Sequence, residues 1–199
     1  MKRIVITGGI GSGKSSVCSY LENKGFIVLY ADKVAQSMTQ AGGLAIEDIR
    51  ASFGEKFILP DGSLDRGRMR QLVYSNPDSK KLLEKLTTDR VEPEIKALLT
   101  SIEQNENPSA VFIEIPLVYE KNAQDNYDYV WLVVSDLDRR ISRIVERDGI
   151  TATAAQSIID SQMPDSDKQK LADEVIFNCG TVGEMYRQID ELIVKYTIL

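Results

Sequence analysis

The 199-residue chain is long enough to bury a full hydrophobic core, and its 43% hydrophobic and 27% charged residues are typical of a soluble globular protein. Its net charge of −6 argues against the basic face that a broad nucleic-acid-binding surface needs. The sequence contains no histidine, which excludes His-based triads and His–metal sites. The two cysteines, Cys18 and Cys179, are far apart, lie in no metal-ligand spacing and suit a reducing compartment.

The apolar runs of the sequence are all short. The N-terminal run ends at Thr7, too early for the apolar region of a signal peptide. The longest later run, residues 129–134, is far below the length that spans a membrane. We therefore expect a cytoplasmic protein that binds neither membranes nor nucleic acid.

Five short runs rich in β-branched and aromatic residues predict strands, and helical patterns between them predict parallel βαβ units. The first crossover helix is predicted from about Gly13 to Lys24, with Gly25 ending it. The near-continuous apolar character of the strands indicates an α/β fold with helices on both faces of the sheet. The predicted strands are Arg3–Thr7, Phe26–Tyr30, Ala110–Ile115, Tyr129–Val134 and Glu174–Phe177.

Two long gaps interrupt this regular pattern, one after the second strand and one after the fourth. Structureless loops of such length are uncommon, so each gap predicts a helical insertion, at residues 33–109 and 136–172. Both insertions leave from the carboxyl ends of strands, where open α/β sheets bind ligands. Within one domain covering residues 1–199, we interpret the first as a substrate-binding region and the second as a lid.

The strongest motif is Gly-x4-Gly-Lys-Ser at residues 8–15, placed between the first strand and the first helix. Glycines let several backbone N–H groups converge on one phosphate, and the helix N-terminus adds its positive dipole end. Lys14 is expected to reach the β- and γ-phosphates and the Ser15 hydroxyl to bind Mg²⁺. A chance glycine-rich turn is disfavoured by the strand–helix context. The predicted phosphate-binding residues are Gly8, Gly9, Ile10, Gly11, Ser12, Gly13, Lys14, Ser15 and Ser16.

Asp32 follows the second strand, and we expect a carboxylate at this neighbouring strand end to overlook the phosphate loop. A carboxylate there could accept the proton of an acceptor hydroxyl or bind Mg²⁺ through water. It could equally be the N-cap of a helix beginning near Lys33. Both roles are compatible with the sequence.

Arg66 and Arg70 stand at i and i+4 in the first insertion and share a helix face. Two guanidiniums on one face could clamp a phosphate-bearing substrate. The alternative is a solvated face whose arginines pair with local acids.

The second insertion carries four arginines at near-helical spacing, Arg139, Arg140, Arg143 and Arg147. A lid arginine in such a place could stabilise the charge on a transferring phosphoryl group. The alternative is an exposed helix in which these arginines pair with nearby acids: Asp136, Asp138, Glu146 and Asp148.

Taken together in order and spacing, the motifs resemble those of the dephospho-CoA kinase family, almost from end to end. The matching segments are Thr7–Ser15, Ala31-Asp32-x-x-Ala35, Leu64-Asp65-Arg66-x-x-Met69-Arg70-x-x-Val73-Tyr74, Ile115-Pro116-Leu117-x-x-Glu120, Arg143-x-x-x-Arg147-Asp148-Gly149, Gln162, Lys168 and Ala172-Asp173-x-Val175-Ile176-x-Asn178-x-Gly180.

The resemblance implies transfer of the γ-phosphoryl group of ATP to the ribose 3′-hydroxyl of dephospho-CoA. It also implies a three-layer α/β/α P-loop NTPase fold with a five-stranded parallel sheet of order 2-3-1-4-5. By similarity, Asp32 is the expected catalytic base, with Lys14 and Arg143 as further catalytic residues. Arg66 and Arg70 are expected at the acceptor, and the remaining nucleotide contacts are expected from Arg147 in the lid and from Asn178 and Gly180 beside the adenine.

One departure from the family pattern lies in the substrate-binding insertion. The family usually carries a His-Pro pair there, whereas this chain reads Glu92-Pro93. Either this pair takes the same place or the helix is rearranged. The residues indicate no oligomeric state, and we expect a monomer to be able to function.

Two other classes compete with this interpretation. One is a small P-loop kinase acting on a nucleoside, a nucleotide or a shikimate-like alcohol. The other is a GTPase-type switch, which should carry Asp-x-x-Gly and Asn-Lys-x-Asp. Neither switch motif occurs in the sequence, so a kinase is favoured.

Overall fold

A computed structural model of the protein describes residues 1–196. The described chain divides into two compact units, one formed by residues 1–29 with 106–196 and the other by residues 30–105. Within the described residues, no helix combines the length and the apolar character needed to cross a membrane.

Across residues 1–196 the strands form one five-stranded sheet of order β2-β3-β1-β4-β5, which confirms the expected order 2-3-1-4-5. β1 pairs in parallel with both β3 and β4, and β4 pairs in parallel with β5. Each predicted strand lies within one residue of its observed bounds. The strands are β1 (Lys2–Thr7), β2 (Ile27–Tyr30), β3 (Ala110–Glu114), β4 (Tyr129–Val134) and β5 (Glu174–Phe177).

The α-helices of residues 1–196 account for most of the chain between the strands. Five of them lie in residues 30–105 and three in residues 137–171, so both long gaps are helical, as predicted. In chain order they are α1 (Lys14–Asn23), α2 (Ala31–Ser37), α3 (Ile46–Phe53), α4 (Arg66–Ser75), α5 (Pro77–Leu86), α6 (Thr88–Asn105), α7 (Leu137–Asp148), α8 (Ala152–Asp160), α9 (Asp165–Leu171) and α10 (Val182–Lys195).

The sheet forms the centre of the first unit because its inner strands are apolar on both faces. Ile4, Val5 and Ile6 of β1 are fully buried, as is Trp131 of β4. Such strands have no solvent face and need helices on both sides, which explains their uninterrupted apolar sequences. The buried carboxyl end of β1 thereby gives the loop that follows it a rigid base.

The second unit is a cluster of helices with well-defined starts. Asp65 caps α4 by accepting a hydrogen bond from the backbone N–H of Arg68, and Asn76 caps α5 in the same way from Ser79. Pro93 lies inside α6, which continues through it to Asn105. The Glu92-Pro93 pair is therefore part of a regular helix.

Candidate functional site

The glycine-rich loop lies between β1 and α1, as its motif predicts. A Cβ atom on Gly8 would lie 2.3 Å from the carbonyl oxygen of Val133, and one on Gly13 would lie 2.1 Å from Nδ2 of Asn178. Both glycines also have positive φ, at 151° and 102°. Side chains cannot be accommodated at these two positions, so the backbone itself forms the surface of the loop.

Every carbonyl oxygen from Gly8 to Ser12 accepts a hydrogen bond from a side chain. Lys14 Nζ donates to Gly8 at 2.8 Å and to Gly9 at 3.2 Å. Nη1 of Arg143 donates to Gly11 at 2.9 Å and to Ser12 at 3.3 Å.

The other two contacts come from Arg140 and Asn178. Arg140 Nε donates to the carbonyl of Ile10 at 2.8 Å, and Asn178 Nδ2 donates to that of Ser12 at 2.9 Å. The first turn of α1 adds N–H groups that have no partner within the helix. A loop whose carbonyls are engaged and whose neighbouring helix presents N–H groups is suited to bind an anion.

The electrostatics at Lys14 are also those of an anion site. Burial is the main reason that the pKa of Lys14 lies below its ordinary value, and the positive charges of Lys168 and Arg140 lower it further. Glu114 acts in the opposite direction and raises it. Two further cations therefore act on this half-buried ammonium group, a situation that a bound polyphosphate would relieve.

The four arginines of α7 have different surroundings. Arg139 lies 3.7 Å from Asp136, and Arg147 pairs with its neighbour Asp148 at 2.7 Å, so these two follow the predicted pattern of local ion pairs. Arg143 instead contacts the phosphate loop. Arg140 is 5% exposed and also contacts the loop, which the interpretation of α7 as an exposed helix did not anticipate.

The predicted adenine-binding segment follows β5. Asn178 is buried, and besides its bond to Ser12 its own carbonyl accepts a hydrogen bond from Ser135 Oγ at 2.8 Å. The carbonyl of Gly180 accepts one from Arg139 at 3.0 Å. The side chain of Asn178 therefore supports the phosphate loop directly.

Asp32 is exposed in the first turn of α2, and its carboxylate has no hydrogen-bond or ion-pair partner among residues 1–196. The alternative role as an N-cap is wrong, because α2 begins at Ala31 and its N-cap residue is Tyr30. The carboxylate is consequently available to a ligand.

Arg66 and Arg70 line a single cavity of about 330 Å³ within residues 30–105. Nη2 of Arg66 donates to Oγ1 of Thr39 at 2.9 Å. Neither arginine forms an ion pair within residues 1–196, so the predicted pairing with local acids is wrong, while both side chains are exposed as a solvated face requires. The cavity is lined by Ala35, Thr39, Leu64, Arg66, Met69, Arg70, Val73, Leu83, Thr87 and Thr88.

Three contacts of the site were not foreseen from the sequence. Gln162 Oε1 accepts a hydrogen bond from the N–H of Ile10 at 2.9 Å. Lys168 is fully buried and pairs with Glu120 at 2.8 Å. Gln162, Lys168 and Glu120 belong to the motif set quoted above, and that was the only signal for them. The third contact, between Arg140 and Asp165 at 2.9 Å, had no signal in the sequence.

Comparison with known proteins places the chain in one family. The family model described as dephospho-CoA kinase matches residues 3–184. The chain belongs to the dephospho-CoA kinase family. Curated dephospho-CoA kinases of Shouchella clausii and Aromatoleum aromaticum are both 38% identical to it, over 97% and 96% of this chain and 98% and 92% of their own.

Solved structures agree with this assignment. The dephospho-CoA kinase from Campylobacter jejuni superposes with a TM-score of 0.72 at 29% identity, over 98% of this chain and 97% of its own. Membership of the dephospho-CoA kinase family makes this chain a kinase, that is, a phosphotransferase, with a P-loop fold.

Proposed function

We propose that this protein transfers the γ-phosphoryl group of ATP to the ribose 3′-hydroxyl of dephospho-CoA, which yields CoA and ADP in the last step of coenzyme A synthesis. Besides the family, one observation carries the proposal: a phosphate loop whose carbonyls from Ile10 to Ser12 are held by side chains of α7 and of Asn178. Such a loop is preorganised for a polyphosphate.

ATP would bind with its phosphates on residues 8–16 and its adenine beside Asn178 and Gly180. Lys14 now donates to two loop carbonyls and would exchange these bonds for phosphate oxygens. Arg147 is exposed apart from its pair with Asp148, so the lid region 136–172 could bring it to the nucleotide.

Mg²⁺ fits the residues present. The hydroxyl of Ser15 is exposed at the start of α1. No group of three or more potential ligands from Asp, Glu, Cys and His occurs among residues 1–196. In kinases, phosphates and water supply most ligands of Mg²⁺, so one protein hydroxyl can suffice. Ser15 would hold the ion, which supplies charge neutralisation on the phosphates when bound.

Asp32 would accept the proton of the 3′-hydroxyl. The hydroxyl oxygen then forms a bond to the γ-phosphorus, while the bond between that phosphorus and the β–γ bridging oxygen breaks and ADP leaves. Nη1 of Arg143 donates hydrogen bonds to the loop and to Ser135, so Nε and Nη2 are able to donate to the transferring group. Donors placed in this way stabilise the negative charge of the transferring group in the transition state.

The acceptor would lie in the region 33–109, with Arg66 and Arg70 at its phosphates. The cavity supports this because it combines two guanidiniums with threonine hydroxyls and apolar side chains. Such a lining suits a ligand with both phosphates and an apolar part. A monomer in the cytoplasm would suffice for the reaction.

The test is an assay of purified protein with ATP, Mg²⁺ and dephospho-CoA, in which CoA is detected by mass spectrometry and ADP by a coupled reaction. We expect stoichiometric CoA and ADP, and none from Lys14→Ala, which controls for contaminating kinases. A parallel panel offers shikimate, adenosine and nucleoside monophosphates as acceptors. Turnover of one of these without turnover of dephospho-CoA by well-folded protein would overturn the assignment.

A further inference from the structure

Arg140 and Asp165 form an ion pair against the phosphate loop, and the proposed reaction assigns a role to neither. The guanidinium Nη1 lies 2.9 Å from Oδ2 of Asp165. Both side chains are largely withdrawn from solvent, with 6% and 20% of their surfaces exposed. An ion pair in this setting needs well-placed partners, since desolvation opposes it.

The pair acts on Ile10, the third residue of the loop motif. Arg140 Nε donates to the carbonyl of Ile10 at 2.8 Å, while Gln162 accepts from its N–H at 2.9 Å. Both polar groups of this residue are thus fixed by side chains from outside the loop. A Cβ atom on Gly9 would lie 2.2 Å from Nη2 of Arg140, so the guanidinium is in close contact with the loop backbone.

We propose that Arg140 and Asp165 are positioning residues that hold the phosphate loop in its anion-binding conformation. Asp165 orients the planar guanidinium, and the guanidinium orients the Ile10 peptide. The inference rests on the proposed function only in that the loop binds the phosphates of a nucleotide. Asp165 begins α9 and Gln162 precedes it, so the same short segment contacts Ile10 through Gln162 and orients Arg140 through Asp165.

Simple electrostatics predicts the opposite change in nucleotide affinity when Asp165 is neutralised. The direction of the measured change therefore decides between the two explanations. A carboxylate near an anion site repels phosphates, so its neutralisation should strengthen nucleotide binding. If Asp165 instead positions Arg140, its neutralisation should weaken binding. Asp167 offers a matched control, because it lies in the same first helical turn but is 51% exposed and pairs with Lys170.

The experiment measures ADP and ATP affinities by calorimetry for the full-length wild type, Asp165→Asn and Asp167→Asn. We expect Asp165→Asn to bind ADP and ATP each about tenfold more weakly. The two factors should be similar, because the loosened loop holds phosphates that both nucleotides have. Asp167→Asn should stay within about twofold of wild type. Equal or tighter binding by folded Asp165→Asn would overturn the proposal.

Arg140→Lys provides a second test should Asp165→Asn prove unstable. It keeps the charge but cannot donate to Ile10 and Asp165 through one planar group. A loss of affinity like that of Asp165→Asn supports positioning, whereas retained affinity assigns Arg140 a role through charge alone and overturns it.

Hydrogen exchange of the nucleotide-free protein separates this inference from the proposed function. In Asp165→Asn we expect faster exchange of the peptide containing Ile10, with no such change in Asp167→Asn. Wild type that fails to bind ADP would refute the proposed function, and the exchange result would still decide whether the pair holds the loop.

Discussion

The phosphate loop and the cavity of residues 30–105 both gather positive charge, but they hold it differently. At the loop, Arg140 and Arg143 are fixed by hydrogen bonds to backbone carbonyls. In the cavity, Arg66 has one hydrogen bond, to Thr39, and Arg70 has none among residues 1–196. The loop is organised before a ligand arrives, whereas most guanidinium N–H groups of the cavity remain available to a ligand.

This difference fits what each region is proposed to bind. A fixed loop loses little conformational entropy on binding and can develop its full electrostatic effect on the group that reacts. Free arginines must be ordered when the acceptor binds, which lowers their contribution but lets them adapt to a large ligand. The loop should therefore govern catalysis, and the cavity should govern acceptor affinity.

The largest expected effect concerns Asp32, whose unpartnered carboxylate would take the proton of the acceptor. We expect Asp32→Asn to lower kcat about 1000-fold while ATP affinity stays within about twofold, because the amide cannot accept that proton at neutral pH. Steady-state kinetics and calorimetry check the two parts. Asp78→Asn, at an exposed position in the first turn of α5, is the control. If kcat of Asp32→Asn remained near that of the control, Asp32 would not be the base.

The second prediction concerns the stability of the unit that carries the phosphate loop, and the buried Lys168–Glu120 pair tests it. Glu120→Gln leaves the fully buried Lys168 ammonium without its carboxylate, so we expect a loss of about 3 kcal/mol in the free energy of unfolding. Urea denaturation at pH 7 measures it. Glu120→Gln combined with Lys168→Met should recover part of the loss, and a loss in Glu120→Gln below about 1 kcal/mol would contradict the importance of the pair.

The same pair predicts a pH dependence. Burial raises the pKa of Glu120, but hydrogen bonds and charge from Lys168, with backbone N–H groups, outweigh it and leave the pKa below its usual value. The stabilisation is therefore present above the unfolded pKa of about 4.3 and is lost as pH falls through the folded pKa. The stability difference between wild type and Glu120→Gln should shrink below about pH 4.5. A difference that stayed constant from pH 7 to 3.5 would contradict this.

The fold was predictable because its signals are local. Each strand is one apolar run, and the glycine pattern between β1 and α1 marks the loop without reference to the rest of the chain. The cap role of Asp32 failed for a related reason: α2 starts directly at the end of β2, so Asp32 falls inside the first turn. Helix ends of this kind depend on a boundary that sequence patterns locate only to within a residue or two.

The contacts that hold the loop were not predictable in the same way. Arg140 lies in α7, Asp165 begins α9 and Gln162 lies between α8 and α9. Only the packing of these helices brings Arg140 and Gln162 to Ile10 and Asp165 to Arg140. On α7 alone, Arg140 is indistinguishable from the partly exposed Arg139 and Arg147. Burial of an arginine reflects its tertiary surroundings, and helical spacing does not reveal it.

The smallest expected effect tests the adaptable side of the comparison, at Arg70. Arg70→Gln should raise the KM for dephospho-CoA about tenfold and leave kcat and the KM for ATP within about twofold, because a guanidinium ordered only on binding contributes to ground-state affinity. Arg68→Gln, two residues earlier on α4, removes the same charge from a residue that does not line the cavity, and should change neither KM. A fall in kcat of Arg70→Gln with unchanged KM would mean that this arginine acts in the transition state, and the division between a catalytic loop and a binding cavity would then fail.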